Sequence, residues 1–379
     1  MKCKLSDICS FRKGKIAVDT LDSRKYISTE NMLPNKGGIK ESGALPAVAF
    51  TQEYRKGDVL VSNIRPYFKK IWQATFDGGC SNDVLVFVPN DNVDRCFLYY
   101  VLANDDFFVY SMATSKGTKM PRGDRTSIMK YEVSRFNIDT QKKISSILHG
   151  IDKKIELNKM INNNLEQQLF ALYENTILSS SCSNETVLSA LCDFQEGYVN
   201  PSQTHPEYFD GDVKWLRAVD INESFITETS RTLTKAGFES AKKSALLFKP
   251  NTIAISKSGT IGRLGIIADY MCGNRAVINI APHKTNMLAF IYCFLKSKQR
   301  EFPDMAVGSV QKNLYVSLLE PLAVIVPDNE SLATFNAAGT SLLNAIHNNC
   351  VENTKLARLR DAILPKLMSG EIDVSEVSI

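Results

Sequence analysis

Histidines, cysteines and glycine-rich turns are the places where chemistry would first show, and in this chain their spacing argues against catalysis. His149, His205, His283 and His347 lie far apart, without metal-ligand spacing. The nine cysteines (Cys3, Cys9, Cys80, Cys96, Cys182, Cys192, Cys272, Cys293 and Cys350) contain no C-x-x-C pair and no zinc spacing. Most have apolar neighbours, as in Ile8-Cys9 and Leu191-Cys192, so they read as reduced, buried thiols of a cytoplasmic protein. Residues 259–265 (GTIGRLG) have the spacing G-x-x-G-x-x-G with no evident following helix, which predicts a tight turn and no nucleotide cradle. There is no N-P-P-Y or D-P-P-F run for adenine methylation and no G-x-x-x-x-G-K-[ST] for ATP. These absences predict a chain with no catalytic residue, no metal and no cofactor of its own.

The polar residues that could bind lie in loops. Residues 62–70 (SNIRPYFKK) bring Asn63, Arg65, Lys69 and Lys70 together with Tyr67 and no acid. Residues 115–125 (SKGTKMPRGDR) carry Lys116, Lys119, Arg122 and Arg125 against one aspartate. Further along, Lys257, Ser258, Thr260, Arg263 and Arg275 form a comparable set, followed by Gln311, Lys312 and Asn313. Lysine and arginine on loops can neutralise phosphates, while arginine, asparagine and glutamine can bond base edges in a major groove. Lys36 and Lys40 (KGGIK) and Arg217 (RAVDIN) are lesser candidates for the same contacts. A basic loop also serves solubility alone, so the argument rests on their recurrence at matching places. The net charge of +4 means that an acidic partner would be met by such patches, not by the whole surface.

The elements that position these loops are written twice. Residues 4–15 (KLSDICSFRKGK) match 187–198 (VLSALCDFQEGY) at Leu5/Leu188, Ser6/Ser189, Cys9/Cys192, Phe11/Phe194 and Gly14/Gly197. GDVLVS at 57–62 matches NTIAIS at 251–256, Cys80-Ser81-Asn82 matches Cys272-Gly273-Asn274, and Gly117 stands where Gly308 does. Such a long offset signals a duplicated domain, not a solenoid repeat. In each copy short strands, at 59–62 and 84–88 and at 252–256 and 276–280, precede a short helix near 97–102 or 288–296. A last extended stretch follows at 131–138 or 319–326. Each copy is therefore predicted to be a small α+β domain with long loops.

A helix closes each copy. Ile144, Leu148, Ile151, Ile155, Asn158, Asn162, Leu165, Leu169 and Leu172 follow the 4-3 spacing of a heptad seam. A constant offset of 191 gives Phe335, Gly339, Leu342, Ile346, Asn349, Asn353, Leu356, Arg360 and Ile363. Each helix could simply pack on its own domain. The matched asparagines favour helices that meet each other, because buried asparagine on a seam fixes register and partner. Ile151, Ile155, Asn158 and Asn162 would then face Leu342, Ile346, Asn349 and Asn353, with the centre at Asn158 and Asn349. The first seam would span about 43 Å at ~1.5 Å per residue, on the order of one turn of duplex DNA.

Two loop-rich domains, each followed by a long helix, resemble the specificity subunits of type I restriction–modification enzymes, the HsdS family. The likeness is carried by GDVLVS at 57–62, SKSGTIGRLG at 256–265 and, most specifically, LARLRDAILPKLMSGEI at 356–372. NIRPY at 63–67 departs from KSGTI at 257–261, as expected if the domains read different bases. The resemblance implies target-recognition domains at 1–139 and 182–330, and spacer helices at 140–181 and 331–379, the latter with the tail. It implies that the two helices pair as an antiparallel coiled coil and that each domain reads half of a split site on double-stranded DNA. Methyltransferase subunits using S-adenosylmethionine, and restriction subunits using ATP and magnesium to move and cut DNA, would be partners. The competing reading is a coiled-coil scaffold for proteins without DNA specificity. No apolar run approaches membrane-spanning length and the N-terminus has no signal-peptide stretch, which predicts a cytoplasmic protein.

Overall fold

The computed structural model describes residues 2–180, 183–222 and 224–377, so Cys182 lies outside the described residues. The chain divides into two compact units, Met1–Lys153 with Leu356–Ile379, and Lys154–Lys355. The division falls inside both long helices, Ile138–Ser179 and Asn329–Ser369.

In the first unit a four-stranded sheet has the order Cys9–Phe11, Val84–Pro89, Val59–Ser62, Ile71–Gln73, antiparallel throughout. Its two central strands read as unbroken apolar runs because both their faces are covered. Val59, Val61, Leu85 and Phe87 pack with the helices Arg95–Ala103 and Asp105–Ala113. Leu60, Val84 and Val86 face the other way, into a cluster with Ile27, Tyr54 and Cys80 of a second sheet. That sheet has the order Lys15–Ala17, Phe50–Tyr54, Gly78–Cys80, Tyr26–Ile27. The helix at 95–103 starts where Asp94 accepts the Phe97 amide at 2.8 Å, and Asn104 caps its successor. Lys2–Lys4 pairs antiparallel with Glu132–Ser134 and brings the two ends of the domain together.

The second unit follows the same plan. Cys192–Glu196, Val277–Pro282, Ile253–Ser256 and Leu264–Ile267 form an antiparallel run, extended by Phe225–Ile226 in parallel. Ile253, Ile255, Ile278 and Ile280 pack under the helix Leu288–Ser297, while Ala254 and Val277 face Leu216, Phe248 and Met271 of a second sheet. Asn184–Val187 pairs with Ala323–Val326 as the closing ribbon. The helix at 105–113 and both second sheets were not expected from sequence. Their strands are short and interrupted by polar residues, so they show neither period clearly.

Within the first unit Ile144 and Leu148 share the core with Leu364, Leu367 and Met368. Within the second, Leu169 and Tyr173 share it with Phe335, Leu343, Ile346 and Cys350. Among the described residues the cysteines form no disulfide, no cluster of acids, histidines and cysteines could hold a metal, and no helix is long and apolar enough to cross a membrane.

Candidate nucleic-acid interface

The two basic loops of the first unit, far apart in sequence, are fastened into one surface. Residues 116–122 form a hairpin closed by Lys116 and Arg122, which exchange backbone hydrogen bonds at 2.9 Å in both directions. Its returning arm docks on the segment that leaves Val59–Ser62. The Arg65 amide donates to the Pro121 carbonyl at 2.8 Å and the Gly123 amide to the Asn63 carbonyl at 3.2 Å. In the second unit Val307 and Asn313 close a hairpin at 3.0 and 2.9 Å, and the Leu314 amide donates to the Lys257 carbonyl at 2.9 Å. Asn63 and Lys257 take equivalent places: each amide reaches the last turn before a central strand, at Asp83 (2.8 Å) or Ala276 (2.7 Å). One backbone device thus presents two sets of side chains.

The candidate cations separate into fixed and available groups. Lys36 and Lys69 both bind Asp105, at 2.8 and 2.7 Å. Burial would raise the Asp105 carboxyl, but the hydrogen bonds from both lysines outweigh it and hold it below the ordinary range. Lys70 donates to the Thr29 carbonyl at 2.6 Å, and burial first, then nearby Lys40, lowers its pKa. These three lysines build the loop, and the Asn35 and Lys36 amides tie the 35–40 turn to the carbonyls of Phe68 and Lys69. Arg122 pairs with Asp83 at 3.1 Å, Lys116 with Asp124 at 3.0 Å, and Arg125 donates to the Asn82 carbonyl at 3.2 Å. Lys257 pairs with Glu196 at 2.8 Å and lies 4.8 Å from the Tyr315 ring centre. Arg217 is engaged by Ser230 at 2.5 Å and by Asp220 at 3.6 Å, against Trp215. Asn313 bonds the Gln311 carbonyl at 3.0 Å.

Lys40, Lys119, Arg275 and Lys312 are exposed and make no side-chain hydrogen bond or ion pair among the described residues. Tyr67 is half exposed, with its ring centre 4.7 Å from that of Phe68. The Arg65 Nε and Asn63 Oδ1 atoms are buried without a partner among the described residues, and Arg65 holds a left-handed φ of 50°. Ser258 and Thr260 lie in the turn whose shape Ser256 sets, taking the Arg263 amide at 2.8 Å and donating to the Thr260 carbonyl at 2.5 Å. Arg263 lines a cavity of about 600 Å³ with Lys159, Asn162, Glu166 and Lys296. Asp105, Asp83 and Glu196, which hold so many of these cations, carried no sequence signal. Each acts across a contact between distant segments.

The asparagines correct one expectation. Asn158 Nδ2 donates to Asn353 Oδ1 at 2.9 Å and to Glu352 at 2.7 Å, and Asn349 Nδ2 donates to Asn162 Oδ1 at 2.8 Å. Asn158 therefore meets Asn353, not Asn349. The partner counted from the apolar positions missed by about one helical turn, because the path of the backbone and not the count decides where side chains meet. Ile346 is buried on this surface and Ile155 and Leu342 half-buried, while Ile151, also half-buried, belongs to the first unit.

A duplicated α+β unit that presents one loop construction twice is matched by one family. The profile described as Type I restriction modification DNA specificity domain covers residues 1–167 and again 185–337. The chain belongs to this family. The specificity subunit of the type I restriction enzyme HindI from Haemophilus influenzae is 24% identical, over 92% of this chain and 94% of its own length. That of the type I restriction enzyme MjaIX from Methanocaldococcus jannaschii is 24% identical, over 76% and 72%. Among solved structures, the S subunit of a type I restriction–modification system from M. genitalium shares the fold. Its TM-score is 0.56 at 17% identity, covering 97% of this chain and 96% of that one. This chain is thus a type I restriction–modification specificity subunit with two recognition domains.

Proposed function

We propose that this chain reads a split sequence on double-stranded DNA, with one domain for each half-site, and performs no catalysis itself. The observation that carries the reading is the hairpin docked on the post-strand loop, built alike in both units but furnished with different side chains. A common backbone can sit at a groove in the same way each time, while the side chains at its rim select different bases. Among the candidates, Lys40, Lys119, Arg275 and Lys312 would meet phosphates or bases directly. The fixed cations Lys36, Lys69 and Lys70 would mainly hold the loops in shape.

The long helices would pair as an antiparallel coiled coil that sets the spacing of the half-sites. The crossed bonds of Asn158 with Asn353 and of Asn162 with Asn349 support that sense of pairing. The chain would recruit methyltransferase subunits, and through them restriction subunits, in the cytoplasm. S-adenosylmethionine, ATP and magnesium would act in those partners.

Binding to duplex DNA as a function of salt tests the interface. Neutralising Lys119, Arg275 and Lys312 should weaken all duplexes and flatten the slope by about 0.9 for each phosphate that is no longer neutralised. An unchanged slope would remove these residues from the DNA face. Methylome sequencing of the host should show a split adenine-methylated motif, and exchanging residues 1–139 for those of a relative should alter one half only. A change in both halves, or in neither, would end the one-domain-one-half assignment.

A further inference from the structure

The two hairpins match in more than their closing bonds. Between Lys116 and Arg122 lie residues 117–121 (GTKMP), and between Val307 and Asn313 lie 308–312 (GSVQK), five residues each. Both open on a glycine of positive φ, 93° at Gly117 and 138° at Gly308. A Cβ at Gly308 would come within 2.3 Å of the Gln311 carbonyl, so the shape of that turn requires glycine. At each tip an apolar side chain stands in solvent beside a lysine. Met120 is 49% exposed next to Lys119, and Val310 is 100% exposed two residues from Lys312.

One exposed aliphatic residue needs no explanation. Two, each within the five-residue turn of an equally long hairpin and each within two residues of an available lysine, make a recurring arrangement, with Val310 standing where the first hairpin has Lys119. The order is reversed between the copies: Lys119 precedes Met120, whereas Val310 precedes Lys312. A lysine fits a phosphate. In a major groove the apolar feature within reach is the 5-methyl group of thymine, which distinguishes A·T from the other pairs.

We propose that Val310 and Met120 are specificity-determining residues that each contact a thymine methyl group in their own half-site. This rests on the DNA-reading function proposed above. Burying one methyl group gives about a fourfold gain in affinity, enough to rank sites without dominating binding. The reversed order of cation and aliphatic group would place the methyl contact on opposite sides of the phosphate contact in the two half-sites.

The test uses the chain with its methyltransferase partner and the duplex that carries its methylated motif, with thymines replaced one at a time by uracil. One position in each half-site should weaken binding about fourfold. Val310→Ser should abolish that effect in one half only, and Met120→Ser in the other. Val310 is fully exposed and Met120 half exposed on a turn outside the core clusters, so neither change opens a cavity in the core. If the intact motif is bound better than a scrambled duplex but no uracil position matters, the methyl contact is refuted and the DNA-reading function stands. Uracil effects that persist in both variants would refute these two residues as the readers. Failure to prefer the motif over scrambled DNA would overturn both proposals.

Discussion

The first and second units solve the same construction problem with different chemistry, most clearly where the loop leaves the central strand. In the second, the turn uses Gly259 and Gly262 at φ of 77° and 83°, a conformation open to glycine at no steric cost. In the first, Arg65 and Lys69 take φ of 50°, and the adjoining Asn35 and Lys36 take 54° and 61°. Each such residue costs on the order of 1 kcal/mol. The bonds of Lys36 and Lys69 to Asp105 hold the strained turns in place. The long helices show a second contrast. In the first unit Arg360 pairs with Asp152 at 2.8 Å and Tyr100 donates to the same carboxylate at 2.7 Å. At the corresponding positions the second unit has Leu169, Leu343 and Cys293, all buried. The duplicated feature is the path of the backbone, and the side chains that lock it differ freely between the copies.

The largest test of that statement is to give the first unit the lock of the second. Asp152→Leu alone leaves Arg360, a quarter exposed, to its neighbour Asp361 at 2.8 Å and takes the acceptor from the Tyr100 hydroxyl, and should lower stability by about 2–3 kcal/mol in denaturant unfolding. Adding Arg360→Leu and Tyr100→Phe should restore most of the loss. If the triple variant stays as unstable as the single one, the two locks are not interchangeable.

The asparagines come next in size. Asn158→Leu should cost about 1–3 kcal/mol by leaving a buried amide unsatisfied. The coupling should be large with Asn353→Leu and small with Asn349→Leu, measured by double-mutant cycles. Additive effects of the 158 and 353 changes would mean that the two amides do not meet.

A smaller effect is expected at the strained turn. Arg65→Gly should raise stability by up to about 1 kcal/mol by relieving the left-handed conformation, while Gly259→Ala should lower it by a similar amount. Equal responses in both units would erase the contrast between the loops.

The smallest concerns pH. The Ser127 amide, then Lys116, hold the Asp124 carboxyl at about 2, below its ordinary range. A depressed folded value means that this fastening is fully present above about pH 4 and is lost as pH falls through 2. The equivalent Tyr315 makes no such cap among the described residues. Protection of the amides from hydrogen exchange, taken relative to the intrinsic rate at each pH between 5 and 2, should therefore fall at 116–122 before it does at 307–313.

The amino-acid sequence determined the duplication, the α+β character, the central strands and both long helices, because these depend on local periodicity and on patterns repeated at a fixed offset. It also located both basic loops of the first unit from their charge. It did not show that the hairpin docks on the post-strand loop, that Asp105 takes up Lys36 and Lys69, or that Asn158 meets Asn353. Each of these joins residues distant in sequence, and no period or local propensity records which distant partner a side chain will find. That choice is made only when packing fixes the backbone, and it decides which lysines remain available to a partner and which are spent holding the loop.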